Sequence, residues 1–372
     1  MKGHIRQRGR KSWEIKWDSG LDSATGKRRT QFKTVRGSKS DAYAALRAEL
    51  SRVDKGTNVE PTKLTLSQYL TDWLDNTAPQ TVAPKALTRY RGLVKNQITP
   101  HLGAIALQKL RPADVSKWLQ DLIASKALST RSIRHAHGVL RTALSHAAAI
   151  ELVERNVATI VKAPTVERKE IEILTSEQMS DILKKLEGHS LLPVVAVALG
   201  TGARRGEIAA LRWCDLDLDA ATVRIERSIE DGTLRVKAPK TSAGRRTVSM
   251  PAIAVGTLRD HRRQQLEQRM ALGIGNMPAD AYVFGHVDGS ILNPDSLSDR
   301  WREAVKSRKL PKVTFHALRH SHASALIAAG LDVVTVSKRL GHASPALTLG
   351  VYSHLFKNND DKAAAAIDAA LR

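Results

Sequence analysis

The sequence predicts a multidomain α+β protein: a small β-rich N-terminal domain, an all-α middle domain, and a mixed, mainly α C-terminal domain with a small antiparallel sheet. Three observations carry that reading. The chain has 372 residues, enough for two or three domains and at least one substantial core. Period-two alternation of apolar and polar residues is confined to the first 36 residues and to short stretches between 222 and 250, and elsewhere apolar residues recur at helical spacing. Two breaks, at Pro61–Thr62 and over residues 161–171 (VKAPTVERKEI), divide the chain into segments 1–60, 62–160 and 172–372.

In the first segment HIRQR, SWEIKW and RRTQFKTV read as short strands, the last two joined by a turn marked by Asp18, Gly20 and Gly26. A helix follows from about Ser38 to Arg52. The segment holds 15 Lys and Arg against 7 Asp and Glu, a net charge of +8 on very little core. Its strands carry Arg6, Arg8, Arg10, Lys11, Arg28, Arg29 and Lys33. A merely solvated face would mix signs, whereas a β-ribbon with this charge fits the DNA major groove.

The middle segment opens with a capping box, Thr65 and Gln68, ahead of Tyr69, Leu70, Trp73 and Leu74. Further helices read from about Pro84 to Ile98, Pro112 to Ser125 and Ser129 to Ile150, with Pro100, Gly103 and Pro112 punctuating the connections. Lys85, Arg89, Arg91 and Lys95 lie on the second helix, and Arg131, Arg134 and Arg141 on the fourth. The latter three share one face with Gly138, which leaves room for close approach, and that face is a candidate phosphate-contact surface.

The C-terminal segment opens with a second capping box, Thr175 and Gln178, a Leu174–Met179 staple and a stop at Gly188. Arg204 sits in a Gly-Thr-Gly-Ala turn before a helix expected over Gly206–Trp213, a natural phosphate seat, with Arg205 beside it as a competitor. TVRIER, TLRVKA and RRTVSM read as a three-stranded meander, with Lys240 in the turn joining the last two. Thr314 caps a helix running to Gly330 that places His316, Arg319 and His320 on one face. A short helix, Asp332–Leu340, ends at Gly341 with His342 after it. Ser344 then caps, and Pro345 starts, a helix bearing Tyr352.

Charge and composition narrow the partners. Lys and Arg number 59 against 37 acidic residues, a net +22 with a pI near 10.3, and such an excess attracts polyanions, nucleic acid above all. No long basic amphipathic helix with a bulky apolar face supports a membrane partner, and the apolar run at Leu191–Leu199 is too short to span a bilayer. The N-terminal MKGHIRQRGRK lacks a signal-peptide core. Cys214 is the single cysteine, placed at an expected helix end as a structural residue; no intrachain disulfide can form, which suits a reducing cytoplasm. His316, His320 and His322 are close enough to suggest zinc, but no Glu or Cys follows at ligand spacing and Arg319 would repel a cation. Neither a P-loop nor an acidic two-metal cluster is evident.

The motifs TGARRGE (201–207), APKT (238–241), HALRH (316–320), LGH (340–342) and VYSHL (351–355) closely resemble, in order and spacing, the tyrosine site-specific recombinase (phage integrase) family. The resemblance makes Tyr352 the nucleophile, Arg204 and Arg319 a clamp on the scissile phosphate, Lys240 the general acid, and His342 a phosphate donor. It makes His316 a phosphate ligand that accepts the nucleophile's proton, and Glu207 an orienting group. It implies cleavage through a 3′-phosphotyrosine intermediate, exchange through a Holliday junction, and no need for ATP, metal or other cofactor.

The same resemblance casts segment 1–60 as an arm-type DNA-binding domain, 62–160 as the core-binding domain and 172–372 as the catalytic domain. Arg6, Arg8, Arg10, Lys11, Arg28 and Arg29 would then contact arm DNA, and Lys85, Arg89, Arg131, Arg134 and Arg141 core DNA. The implied partners are double-stranded core and arm attachment sites, a homotetramer on DNA, a host DNA-bending protein and an excisionase, in the cytoplasm and nucleoid of a bacterial host. The arm-type segment favours an integrase of a phage or mobile element over a Xer-like chromosome or plasmid resolvase. A non-enzymatic DNA-binding regulator and a metal-dependent nuclease are the readings from other classes.

Overall fold

The computed structural model describes residues 3–21, 28–54, 62–167, 171–230, 232–238, 242–356 and 367–371. The chain packs as two compact units, Met1–Arg168 and Lys169–Arg372. Within the first, strands β1 (Gly3–Gly9), β2 (Ser12–Leu21) and β3 (Arg28–Arg36) form an antiparallel sheet in chain order, followed by helix α1 (Lys39–Asp54). Period-two alternation sends Ile5, Trp13, Ile15, Trp17 and Val35 to one face, where they pack on Ala42 and Leu46 of α1.

Register corrects one expectation. Lys33 stands opposite Ile15, so it belongs to the helix-covered face, where its ammonium pairs with Glu49 at 2.6 Å. Arg6 stands opposite Glu14 on the other face, and Arg8 bonds the same carboxylate at 2.7 Å. Arg10 and Lys11 form the β1–β2 turn. Asp18 and Gly20 lie within β2 rather than in a turn, at a register slip. Gly26 and the side chains of Arg28 and Arg29 fall outside what is described.

The helical part runs through α2 (Leu66–Asp72), a π-helical turn (Trp73–Thr77), α3 (Ala78–Thr81), α4 (Pro84–Leu93), a second π-helical turn (Val94–Ile98), α5 (Thr99–Leu102), α6 (Pro112–Ala124) and α7 (Thr130–Ala149). Both π turns have one cause. Pro79 and Pro100 each follow within two residues, and a proline ring clashes with the carbonyl four residues back. Widening the preceding turn relieves the clash. Pro100 therefore sits inside a continuous helical run instead of ending one. Leu70, Trp73, Ile98, Trp118, Leu140 and Leu144 make the core, and the Tyr69 hydroxyl donates to the Ala143 carbonyl at 2.6 Å.

The second unit contains α8 (Ser176–Lys185), α9 (Leu192–Thr201), α10 (Arg205–Ala209), β4 (Leu216–Asp217), β5 (Thr222–Ile225), β6 (Ser228–Ile229), β7 (Val236–Lys237), β8 (Arg246–Ser249), α11 (Ala252–Ala271), α12 (Pro294–Ser307), α13 (Phe315–Ala328), α14 (Val333–Leu340) and α15 (Pro345–Tyr352). The expected meander is two sheets: β4-β5-β8, and a separate β6-β7 hairpin that takes up the TLRVKA strand. The helix after Arg204 stops at Ala209, and Trp213 begins a 3-10 turn in which Cys214 is exposed rather than packed. Among the described residues no helix is long and apolar enough to cross a membrane.

Apolar all round, α9 is buried on almost every side and forms the spine against which α11 and α13 pack. It ends at Gly202, and α14 ends at Gly341, both left-handed with φ of +65° and +67°. Each glycine closes its helix in the conformation that L side chains resist.

Candidate active site

Those two helix ends build the site. Arg319, on the inner side of α13 and 4 % exposed, donates from Nη1 to the Gly202 carbonyl at 2.6 Å and from Nη2 to the Leu340 carbonyl at 2.8 Å. Arg204, at the N-terminus of α10, reaches the Gly341 carbonyl from Nη2 at 3.3 Å. Orphan carbonyls at two helix C-termini thus carry partial negative charge and hold two guanidiniums side by side. Burial, then the charge of Arg204, lowers the Arg319 pKa to about 9, so the cation persists at neutral pH in a cleft already rich in positive charge.

Glu207 anchors this pair from beneath. It is 2 % exposed; its carboxylate accepts from the Arg204 backbone N–H and from Arg204 Nη1, each at 2.8 Å, and from Arg246 Nη2 at 2.9 Å. Burial alone would raise its pKa, but the hydrogen bond and charge of Arg246, with Arg204 behind them, hold it below the ordinary glutamate value. Sequence reasoning missed Arg246. Its side chain is buried, with Nε on the Arg339 carbonyl at 2.7 Å and Nη1 on the Gly244 carbonyl at 3.0 Å. A basic residue opening a strand gave no signal, because its importance comes from the fold packing β8 beside α14. Arg205 turns away, bonding Ser298 and Asp295 of α12, so the two adjacent arginines divide their work.

Tyr352, at the end of α15, is 1 % exposed. Its hydroxyl meets Nδ1 of His320 at 2.6 Å. Burial raises the phenol's pKa to about 12, with Arg319 pulling the other way. His316 lies one turn before His320, their rings edge to face at 4.8 Å, and keeps an open face to solvent. Crowding around its ring, then the charges of His320 and Arg319, lowers its pKa to about 4. His342 bonds through Nδ1 to the buried hydroxyl of Thr348 at 2.8 Å, and burial followed by the charges of Arg319 and Arg204 lowers its pKa to about 4 as well. Thr348 and Tyr352 stand one turn apart on α15, so that helix carries both the tyrosine and the clasp that orients His342. Thr348 carried no signal in the sequence, because its role comes from α15 meeting the residue that follows α14.

The structure therefore brings together Arg204, Glu207, His316, Arg319, His342 and Tyr352, and adds His320, Arg246 and Thr348. Lys240 lies outside the described residues. His322 belongs to the frame: Nδ1 bonds the Leu199 carbonyl at 2.7 Å and Nε2 faces Arg339 Nε at 3.1 Å. With both nitrogens engaged it is not disposed to join His316 and His320 as a metal ligand.

In the first unit, Arg131, Arg134 and Arg141 are exposed along one face of α7 and line a groove with Tyr90 and Gly138. His135, on the same rim, has its pKa lowered by burial and then by Arg89, Arg131 and Arg134, which puts the charge of α4 and α7 on one surface. Lys85 is exposed at the start of α4. Arg91 instead bonds Asp75 and the Leu74 carbonyl, a structural use.

Residues 172–359 match the phage integrase family, and residues 65–123 match the phage integrase N-terminal SAM-like domain. An integrase of Streptomyces ambofaciens is 30 % identical over 361 residues, covering 92 % of this chain and 89 % of its own. Among solved structures, the fold is similar to the Tn1549 transposon integrase in complex with a circular intermediate DNA (TM-score 0.65, 17 % identity, 82 % of this chain and 99 % of that one). It is also similar to a lambda integrase tetramer bound to a Holliday junction (TM-score 0.57, 18 % identity, 92 % of each chain). The chain belongs to the phage integrase family of tyrosine recombinases, enzymes that cut and rejoin DNA at specific sites. A XerC-like tyrosine recombinase of Caldanaerobacter subterraneus is 28 % identical over 85 % of this chain, but relatives named integrase span more of it, up to 96 %, and support the integrase type over a Xer-like resolvase.

Proposed function

We propose that Tyr352 is the nucleophile of this recombinase and that Arg204, Arg319, His316, His342 and Lys240 surround the scissile phosphate. The Tyr352 oxygen attacks phosphorus and forms a 3′-phosphotyrosine bond, while the bond to the 5′-oxygen breaks and that oxygen takes a proton from Lys240. A 5′-hydroxyl from another strand then attacks the phosphotyrosine, gives its proton to the Lys240 amine left by the first step, and releases the tyrosine. One phosphodiester is exchanged for another, so no nucleotide hydrolysis is needed. The two guanidiniums stabilise the charge that builds on the nonbridging oxygens, where preorganised donors act most strongly. Glu207 keeps Arg204 in place.

The observation that carries this reading is the fixing of Arg204 and Arg319 on the carbonyls that end α9 and α14, with Tyr352 close enough to Arg319 for the two to shift each other's pKa. Such pinning is unexpected for arginines that merely coat a surface. The sheet face with Arg6 and Arg8 and the α4–α7 face with Arg89, Arg131 and Arg134 would hold arm and core DNA respectively. The assembly would be a tetramer on a Holliday junction, as in the lambda integrase structure of the same fold. Integration of a phage or mobile element, and its excision with a host DNA-bending protein and an excisionase, complete the reading, in the cytoplasm of a bacterial host.

Cleavage of a nicked core-site duplex in EDTA tests it. The protein should form a covalent adduct that maps to Tyr352, and Tyr352→Phe should bind the duplex yet form none. An adduct in the Phe variant would remove Tyr352 from the role.

A further inference from the structure

The residue nearest the tyrosine hydroxyl is the second histidine of HALRH rather than the first. His320 Nδ1 stands 2.6 Å from Tyr352 Oη, with the two rings 5.7 Å apart and tilted at 60°, and the distance is that of a direct hydrogen bond. His316 has its ring against His320, and no hydrogen bond joins His316 to the hydroxyl among the described residues. His320 is half-buried and α13 is tied down on both sides of it: Arg319 is held by two carbonyls, and the Ser321 hydroxyl accepts from the Leu174 N–H at 2.9 Å. A ring so placed is preorganised against one hydroxyl.

We infer that His320 is a further catalytic residue, which accepts the proton of the Tyr352 hydroxyl at Nδ1 as the tyrosine attacks. The inference rests on the reading of Tyr352 as nucleophile. The balance is direct. The Oη–H bond breaks and its proton passes to Nδ1; the oxygen electron pair forms the bond to phosphorus; the phosphorus–O5′ bond breaks and its electrons leave on O5′. His320 becomes an imidazolium, and it returns the proton to Oη when the 5′-hydroxyl of the incoming strand displaces the tyrosine. His316 is thereby left to the phosphate, and the proton-accepting role that the family resemblance gave it passes one helical turn along α13.

Electrostatics agree with the direction of transfer. Burial, and after it the charge of Arg319, lowers the pKa of His320, so the ring is neutral at neutral pH, while the phenol's pKa of about 12 keeps it protonated and a donor. The titratable and charged groups that act on His320 or feel it are Arg319 and His316 on its own helix, His342 after α14, and Tyr352 on α15. As the pH falls through the lowered value the base is lost, so cleavage should decline on acidification below the ordinary histidine value.

The test uses the full-length protein on a nicked core-site duplex under single-turnover conditions. His320→Asn keeps an oxygen acceptor near the Nδ1 position but cannot hold a proton. Cleavage at neutral pH should slow by about 100-fold, within the range for losing a general base, while core-site binding by gel shift shows the variant folded. Its rate should climb with pH where the wild type is flat, and a fluorinated tyrosine at position 352, with its more acidic phenol, should restore much of the lost rate. Wild-type speed in His320→Asn, or a slow variant that neither fluorotyrosine nor alkali rescues, overturns the inference. Imidazole nitrogen NMR of the unaltered protein gives a measurement that no misfolded variant can blur: His320 should be neutral with its proton on Nε2, and a proton on Nδ1 would overturn the assignment. Peptide mapping of the wild-type adduct separates the two levels. An adduct on Tyr352 with an unaffected His320→Asn sinks this inference alone, whereas an adduct elsewhere sinks the reading beneath it as well.

Discussion

The arginines of the second unit's cleft and those of α7 in the first unit have the same chemistry and opposite circumstances. Arg319 and Arg246 are buried and donate to named carbonyls and a carboxylate. Arg131 and Arg134 project from an exposed helix face with no side-chain hydrogen bond among the described residues. Under the proposed function the difference separates two uses of positive charge. Stabilising a transition state needs donors whose reorganisation is completed before the reaction starts, and that requires buried scaffolding. Attracting DNA needs only charge density, which tolerates mobile side chains and is weakened by salt.

The largest effects should come from blurring that distinction in the cleft. Lysine at 319 or at 204 keeps the charge but loses the planar fork that can hold a carbonyl and a phosphate oxygen together. Arg319→Lys and Arg204→Lys should each lower the single-turnover cleavage rate by roughly two orders of magnitude or more, on the scale of removing one preorganised donor, with core-site affinity changed far less. Arg205→Lys, whose wild-type side chain serves Ser298 and Asp295, should stay within several-fold of wild type. The reverse ranking would mean that the motif has been aligned one residue out.

Glu207 sharpens the comparison from the side of stability. Gln in its place keeps shape but leaves Arg246, whose side chain is 7 % exposed, beside a neutral amide. A loss of about 1–3 kcal/mol in denaturant unfolding is expected, the scale of a hydrogen bond to a buried charged group. The pH signature has a definite sign. Folding depresses the Glu207 pKa, so its contribution is fully present above the ordinary glutamate value and disappears as pH falls through the folded one. Glu207→Gln should therefore lose less stability than the wild type over that acid window. Parallel acid limbs would place the network's strength elsewhere.

How much of this could be read from the sequence follows the range of the interaction that decides each feature. The capping boxes at Thr65–Gln68 and Thr175–Gln178 each close within four residues and occur as expected. Helices α6, α7, α13 and α14 follow from local period and caps. The C-terminal strands do not, because the partner of TLRVKA is chosen by packing: β7 pairs with β6, while β5 pairs with β8 across more than twenty residues. At the site, Arg204, Glu207, Arg319, His342 and Tyr352 were legible from their motifs. Arg246, Thr348 and the contact of His320 with Tyr352 were not, since each depends on two helices or a helix and a strand meeting. The Lys33–Glu49 pair shows the same limit in the first unit, where register placed a basic residue opposite Ile15, on the helix-covered side of the sheet.

Removal of the first 61 residues should separate affinity from chemistry at the scale of a whole segment. The described cleft residues all lie beyond residue 200, so the shortened protein should cleave a core-site duplex within a few-fold of the wild-type rate. Under the arm-site reading it should fail to recombine full attachment sites. Full recombination by the shortened protein would remove that role from the basic sheet.

The smallest effect is expected on the α7 face. Arg134→Ser removes one exposed cation from a helix whose fold rests on Ile133, Leu140 and Leu144, so thermal stability should hardly move. Each phosphate contact contributes about 0.9 to the slope of log K against log salt. The variant's slope for core-site binding should therefore be shallower by about one, with a similar loss of affinity on specific and unrelated duplexes, because phosphates carry no sequence. Paired gel shifts or fluorescence titrations at several salt concentrations measure both quantities. An unchanged slope would take Arg134 off the DNA, and a loss confined to the specific site would make it a reader of bases. In either case the division between pinned arginines for chemistry and loose ones for attraction would have to be redrawn for this helix, while the cleft predictions would stand.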